Sequence, residues 1–304
     1  MNTMMLKSVP AAVAILLLLL PGGGLPAAGL ELEPARVGWS AVRMAGSRLF
    51  LSVDAEVSLL ARPASEIRAD LLAAPDCNGI RPGAEVMQTT YRTRAAGRRS
   101  EIILISDLLT GAAVQRFQDD YQGRLRQRTY RFSETGAVLR TLWPADSSEE
   151  RLPASEWTDM ETGFRGYPPE AAGQLIADPT GIFYLISAGP LARPGDRMEF
   201  MVYSRRSLHR VSVLVDRVED IRADFERRSA DGSSRQRGNV SALRLLIQGE
   251  TIGEEDDDDE FELLGLRGNL ELYLDQASRA PLQLSGNVRI LGRVTLRAQT
   301  VTVD

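Results

Sequence analysis

The chain has 304 residues, 36 basic against 41 acidic side chains for a net charge of −5, and 43% hydrophobic content, so it can bury a full core but carries no basic footprint for nucleic acid. Its only lysine, histidine and cysteine are Lys7, His209 and Cys77. That inventory leaves no second thiol for a disulfide or dithiol cycle, no multi-histidine metal site, and no lysine beyond the first residues for a Schiff base, pyridoxal attachment or a Walker loop.

The first residues resemble a signal peptide. Lys7 supplies the positive start, Val9 to Leu20 the apolar stretch, and Gly22 to Gly29 the small residues around a cleavage site. The apolar stretch is shorter than the ~20 residues a membrane-spanning helix needs. Residues 1–28 are therefore expected to be removed, giving a mature start at Gly29 or Leu30, and no cysteine stands there to carry a lipid anchor. Loss of Lys7 with no acid takes the net charge from −5 to −6. Export to the periplasm as a soluble protein follows as an expectation.

Hydrophobic alternation dominates what comes next. Leu49, Leu51, Val53, Ala55, Val57 and Leu59 share one parity and Phe50, Ser52, Asp54, Glu56 and Ser58 the other, which predicts a long half-buried strand. Val37 and Trp39 precede it, and Ala45-Gly46-Ser47 predicts the turn of a hairpin between them. Turn residues at 96–97, 107–111, 122–123 and 134–136 then separate candidate strands at 101–106, 114–121, 124–132 and 137–143, a β-meander. The proline-bearing run 144–169 shows little periodicity and is expected to connect two halves, 29–165 and 166–304, as separate units or as one continuous domain.

In the second half, Asp178-Pro179 predicts an N-cap with proline at the first helical position, opening a helix that ends at Gly189. Pro194-Gly195-Asp196 predicts a turn into a strand at 198–203. Further alternation marks 211–215, 243–247, 270–274 and 281–298, with a turn at 275–279 and an acidic run at 254–260. The expectation is a mainly β, antiparallel protein with one short helix near 179–188.

Three of these segments carry a resemblance. Asp178-Pro179-Thr180-Gly181-Ile182-Phe183-Tyr184, Arg193-Pro194-Gly195-Asp196, and Asn269 to Asp275 with Arg279-Ala280-Pro281-Leu282 and Leu291-Gly292-Arg293-Val294 resemble the exported bacterial proteins carrying the domain of unknown function numbered 3108. The likeness spans somewhat under half of the mature chain. Gly181, where the family has a small hydroxyl residue, and the acidic run depart from it. The resemblance implies a curved sheet or incomplete β-barrel in the periplasm with no established activity, and its turns, cap and hairpin transfer no catalytic role.

No residue stands out as catalytic, cofactor-binding or metal-ligating, and no ligand-binding residue can be named from sequence. His209 shares the parity of Val211, Val213 and Val215 and is expected to be packed in a strand. Cys77, in Pro75-Asp76-Cys77-Asn78-Gly79, is expected to be an ordinary loop residue. Nothing singles out an acid pair among Asp119, Asp120, Glu219 and Asp220. The seven acids at 254–260 lack the spaced ligands and central glycine of a calcium loop and predict a solvated loop. Arg92, Arg94, Arg98 and Arg99, and the alternating Arg124, Arg126 and Arg128, are basic clusters; guanidinium suits phosphate, but a solvated outer face is the expected role.

The expectation for function is a non-catalytic binding or scaffold protein of the bacterial envelope, without a cofactor, holding an apolar or lipid ligand or an envelope protein partner. The alternative is a hydrolase of cell-wall or glycan material that uses two carboxylates. A transmembrane β-barrel fits poorly, because only 6% of residues are aromatic and no aromatic closes the sequence Val301 to Asp304.

Overall fold

A computed structural model describes residues 30–48, 51–74, 78–95, 98–120, 125–204, 207–253, 260–288 and 291–303. Residues 1–28, Cys77, Arg124, the turns at 96–97 and 122–123, and acids 254–259 lie outside the described residues.

In chain order the elements are β1 (Ala41–Arg48), β2 (Leu51–Pro63), α1 (Ala64–Ile67), β3 (Glu85–Ala95), β4 (Arg98–Asp107), β5 (Ala113–Asp120), β6 (Arg126–Phe132), β7 (Gly136–Trp143), β8 (Asp159–Gly166), β9 (Ile176–Ala177), α2 (Ile182–Ala188), β10 (Arg197–Ser204), β11 (Ser207–Ser229), β12 (Gly232–Ile252), β13 (Glu262–Leu263), β14 (Leu266–Asp275), β15 (Pro281–Val288) and β16 (Gly292–Thr302). Strands hold 63% of the described residues, as the period-two patterning predicts. They form one curved 16-stranded sheet in the order β8-β7-β6-β5-β4-β3-β2-β1-β16-β15-β14-β12-β11-β10-β9, with β13 on β14. Nearly all pairings are antiparallel; β9 with β10 and β11 with β16 are parallel.

The long β11–β12 hairpin bends because of a bulge. Val215 pairs with Leu245 and Arg217 with Arg244, leaving Asp216 as the extra residue, and such an insertion sharpens local twist and bend. Beyond it β11 reaches back to β16, Glu226 to Arg228 opposite Thr300 to Thr302. Strands β11, β12, β14, β15 and β16 thereby close on themselves in a ring. The expected strands at 211–215 and 243–247 are only the most buried parts of much longer ones, whose distal parts still alternate, with Ile221, Ala223, Phe225 and Val240 turned inward between exposed residues.

The core lies inside the curve. Every residue of α2 is buried, which explains its apolar sequence on all sides. Asp178 caps the 3-10 turn Pro179–Gly181 before α2, its Oδ1 accepting from the Thr180 N–H at 2.9 Å. On one side, Phe183 lies 6.1 Å from the Tyr91 ring and the Tyr184 hydroxyl donates to the Leu108 carbonyl at 2.5 Å. On the other, Arg279 reaches the exposed carbonyls of the helix C-terminus, donating to Ile186 O at 2.9 Å, Ser187 O at 3.1 Å, Gly189 O at 3.1 Å and Leu191 O. Gly189 O also accepts from the Leu191 N–H at 2.8 Å and from Arg36 at 3.1 Å, so the buried helix end is met by several donors. Burial, with the nearby Arg36 charge, lowers the Arg279 pKa to about 10, so the group stays cationic at neutral pH and suits the negative helix end.

Four sequence expectations are corrected. Ala45-Gly46-Ser47 lies within β1 and is not a turn; Gly46 is there because a Cβ would come within 2.4 Å of the Thr295 carbonyl oxygen of β16. Val37 and Trp39 precede β1 in an irregular segment, with Trp39 buried and its indole N–H donating to Ser187 Oγ at 3.2 Å. The run 144–169 contains edge strand β8, paired with β7, which sequence missed because both its faces are exposed. A second short helix, α1, precedes β3, whose strand was also not anticipated.

Candidate ligand-binding cavity

Register aligns the inward faces of β2 to β8 into continuous rows. Leu139, Tyr130, Arg116, Leu104 and Thr89 lie side by side across β7 to β3, and Thr141, Arg128, Gln118, Ile102 and Tyr91 form the next row. The first row is closed over by the 3-10 turn before α2: Leu104 comes within 3.1 Å of where a Gly181 side chain would begin. The second row opens onto a cavity of about 1050 Å³.

The cavity lining has two parts. Most of its polar side chains come from β5 to β8, among them Arg116, Gln118, Arg126, Arg128, Thr141 and Arg165, beside the apolar Leu139, Trp143 and Phe164; the rest is largely apolar, with Val53, Ala55, Ile102, Leu263, Leu266 and Leu296. Its floor is deeply buried: Arg116 is 6% exposed, Tyr91 4% and Thr180 3%. Phe164 and Glu161 on the exposed edge strand mark the mouth.

The floor is built around a buried ion pair. Arg116 donates to Asp178 Oδ2 at 2.7 Å, and its guanidinium carbon sits 3.9 Å from the centroid of Tyr130. Burial by itself lowers the Arg116 pKa, but the charge and hydrogen bond of Asp178 together with Tyr130 outweigh it and the net direction is upward. Asp178 thus does two things, capping the 3-10 turn and neutralising a cation 62 residues earlier in the chain. Beside it, burial, reinforced by the Asp178 charge, pushes the Tyr91 phenol well above its usual value; its hydroxyl has no hydrogen-bond partner among the described residues.

Higher on the wall, Arg126 and Arg128 both donate to Asp120 Oδ2 at 2.7 Å, and Gln118 Nε2 donates to Oδ1 at 3.0 Å. Burial opposes ionisation of Asp120, but the two guanidiniums and Gln118 outweigh it and the pKa is lowered. The arginine row is therefore part of the cavity wall, which corrects the expectation of a solvated outer face. Tyr130 and Phe132 share the parity of Arg126 and Arg128 in β6 and are buried; that shared parity was the sequence signal for an inward row.

The other candidates do not converge. Arg92, 56% exposed, pairs with Glu101 and Glu56 on the outer face, where Arg94 and Arg99 are also exposed. Asp119 has opposite parity to Asp120, and Glu219 and Asp220 lie on the distal part of β11, Glu219 beside Arg217 at 3.2 Å. His209 is buried in β11, its Nδ1 3.3 Å from Thr251 Oγ1 and its ring against Phe261, the packed position its parity predicts. Among the described residues no three His, Cys, Asp or Glu side chains form a metal-binding group, and no helix is long and apolar enough to cross a membrane. No family model, curated protein or solved structure matches the chain.

Proposed function

We propose that the chain is a non-catalytic binding protein of the bacterial envelope, exported to the periplasm, that holds a lipid-class ligand in the cavity of its N-terminal sheet. The observation that carries this reading is the cavity with its two-part lining, about 1050 Å³, close to the upper end of the ~300–1,000 Å³ range of ligand pockets. The apolar part of the lining takes a hydrocarbon chain while the polar part orients it. The leader-like residues 1–28 and the resemblance of the second half to exported bacterial proteins support the location.

The hydrolase alternative is less favoured by the same geometry. In and behind the cavity wall Asp120 is engaged by Arg126 and Arg128, Asp178 by Arg116, and Glu262 by Arg267, while Glu161 stands apart from these pairs on the edge strand. At Asp120 the guanidiniums hold the carboxylate in its ionised form, whereas a glycosidase needs one carboxylic acid held protonated.

Native mass spectrometry of purified protein tests the reading. Retained acyl-chain mass is expected, and Thr93→Trp, which places a large ring at a cavity-lining position, should remove it with the circular dichroism spectrum unchanged. Bare polypeptide that also takes up no added amphiphile would overturn the proposal, and cell fractionation checks the location.

A further inference from the structure

The cavity's polar wall is uneven in charge. At Asp120 two guanidiniums meet one carboxylate, both on the same oxygen. The Arg128 side chain is 24% exposed and Arg126 40%, so Arg126 is open enough for a ligand to reach it, while the Nε of Arg128 is buried with no partner among the described residues. Deeper in the cavity the charges are paired, Arg116 with Asp178 and Glu262 with Arg267, and the two charges near the mouth, Arg165 and Glu161, are of opposite sign and stand on one strand. The excess positive charge is thus local to Arg126 and Arg128. From there the row runs through Gln118 and Ile102 to Tyr91. Three strand spacings make this about 14 Å of wall, passing from charged to apolar.

Resting on the cavity reading above, we infer that the ligand is a single-tailed amphiphile with an anionic head group, carboxylate or phosphate, bound head-first at Arg126 and Arg128 with its tail against Val53, Ala55, Ile102 and Leu296. Two guanidiniums already converging on one carboxylate oxygen form a ready site for a second anion, because each retains further N–H donors in a planar fork suited to such groups. Asp120 holds the two side chains in place and at the same time competes with the ligand for them. Removal of Asp120 and removal of the arginines should therefore change affinity in opposite directions, which a merely structural cluster would not do.

The test is isothermal titration of the purified protein with dodecanoate, dodecyl phosphate, dodecanol and inorganic phosphate, each below its aggregation concentration. Dodecanoate and dodecyl phosphate are expected to bind at least about tenfold more tightly than dodecanol, a gap typical of one charge-assisted contact. Arg126→Gln with Arg128→Gln should erase that gap, whereas Asp120→Asn should widen it. Comparing the two anionic amphiphiles separates a carboxylate from a phosphate source. Equal binding of dodecanol and dodecanoate, with no response to any of these variants, overturns the head-group assignment while the cavity reading stands. Failure of all three amphiphiles overturns both. Inorganic phosphate binding as tightly as dodecyl phosphate would also overturn the amphiphile assignment. Should the double variant unfold, Asp120→Asn decides alone: unchanged or weaker anion binding refutes the competition.

Discussion

The two sides of the sheet use the same alternation for different ends. In the ring of β11 to β16 the inward positions are filled by Val211, Val213, Leu243, Leu245, Leu272, Leu274 and Leu284, all nearly inaccessible. Across β3 to β7 the inward positions include Tyr91, Ile102, Gln118, Arg128 and Thr141, and a cavity remains in front of them. Branched aliphatic side chains facing one another interdigitate to crystal-like density. Arginine, glutamine and threonine cannot do so without abandoning their hydrogen bonds, so the wall they build stays apart from its opposite. Strand pattern sets the sheet, and the chemistry of the inward set decides whether the interior is solid or hollow.

The largest expected effect comes from breaking the joint between the two sides. Asp178→Asn keeps a capping oxygen but leaves Arg116 buried without its counter-ion, and should cost about 3–5 kcal/mol in urea unfolding. Arg116→Met added to it should recover part of that loss, whereas a cost below about 1 kcal/mol for the single change would show the pair to be dispensable. Next in size is a direct comparison of the two interiors. Leu245→Ala, in the packed ring, should cost about 3 kcal/mol. Ile102→Ala already borders empty space on one side and should cost about 1 kcal/mol, because fewer packing contacts are lost. Equal costs would mean that the two interiors are packed alike.

A smaller change of opposite sign is expected at the cavity floor. Tyr91→Phe removes a buried hydroxyl that lacks a partner among the described residues and should raise stability of the ligand-free protein by about 1 kcal/mol. A loss of similar size would reveal a bonded hydroxyl. Smallest is the acid dependence of Asp120. Its folded-state pKa lies below its ordinary value near 3.8, so its contribution is complete above that value and is lost as pH falls through the depressed one. Asp120→Asn should therefore flatten the acid limb of stability below about pH 4 and leave its shape above about pH 5 unchanged. Chemical denaturation across that interval is the measurement.

The turn at 107–111 was readable because Asp107 and Gly111 act within a few residues. Asp107 Oδ1 accepts from the Leu109 and Thr110 N–H groups at 3.1 and 2.9 Å, and Gly111 takes a φ of +72°. The cap at Asp178 was readable for the same reason. Strand β8 was not, since a segment solvated on both faces leaves no periodic trace. Of the cavity, the arginine row was visible as a pattern, but its facing side was misjudged, because charge on a strand usually means water.

The amino-acid sequence by itself determined the period-two sheet, its local turns and the capped start of the buried helix, all of which depend on neighbours within a few positions. Tertiary structure alone decided which face of each strand turned inward, that β11 would bend back onto β16, and that Arg116 would meet Asp178 across the interior. Alternation separates two faces without saying what stands opposite either one. That is settled only when distant strands pair and their side chains either fill the space between them or hold it open.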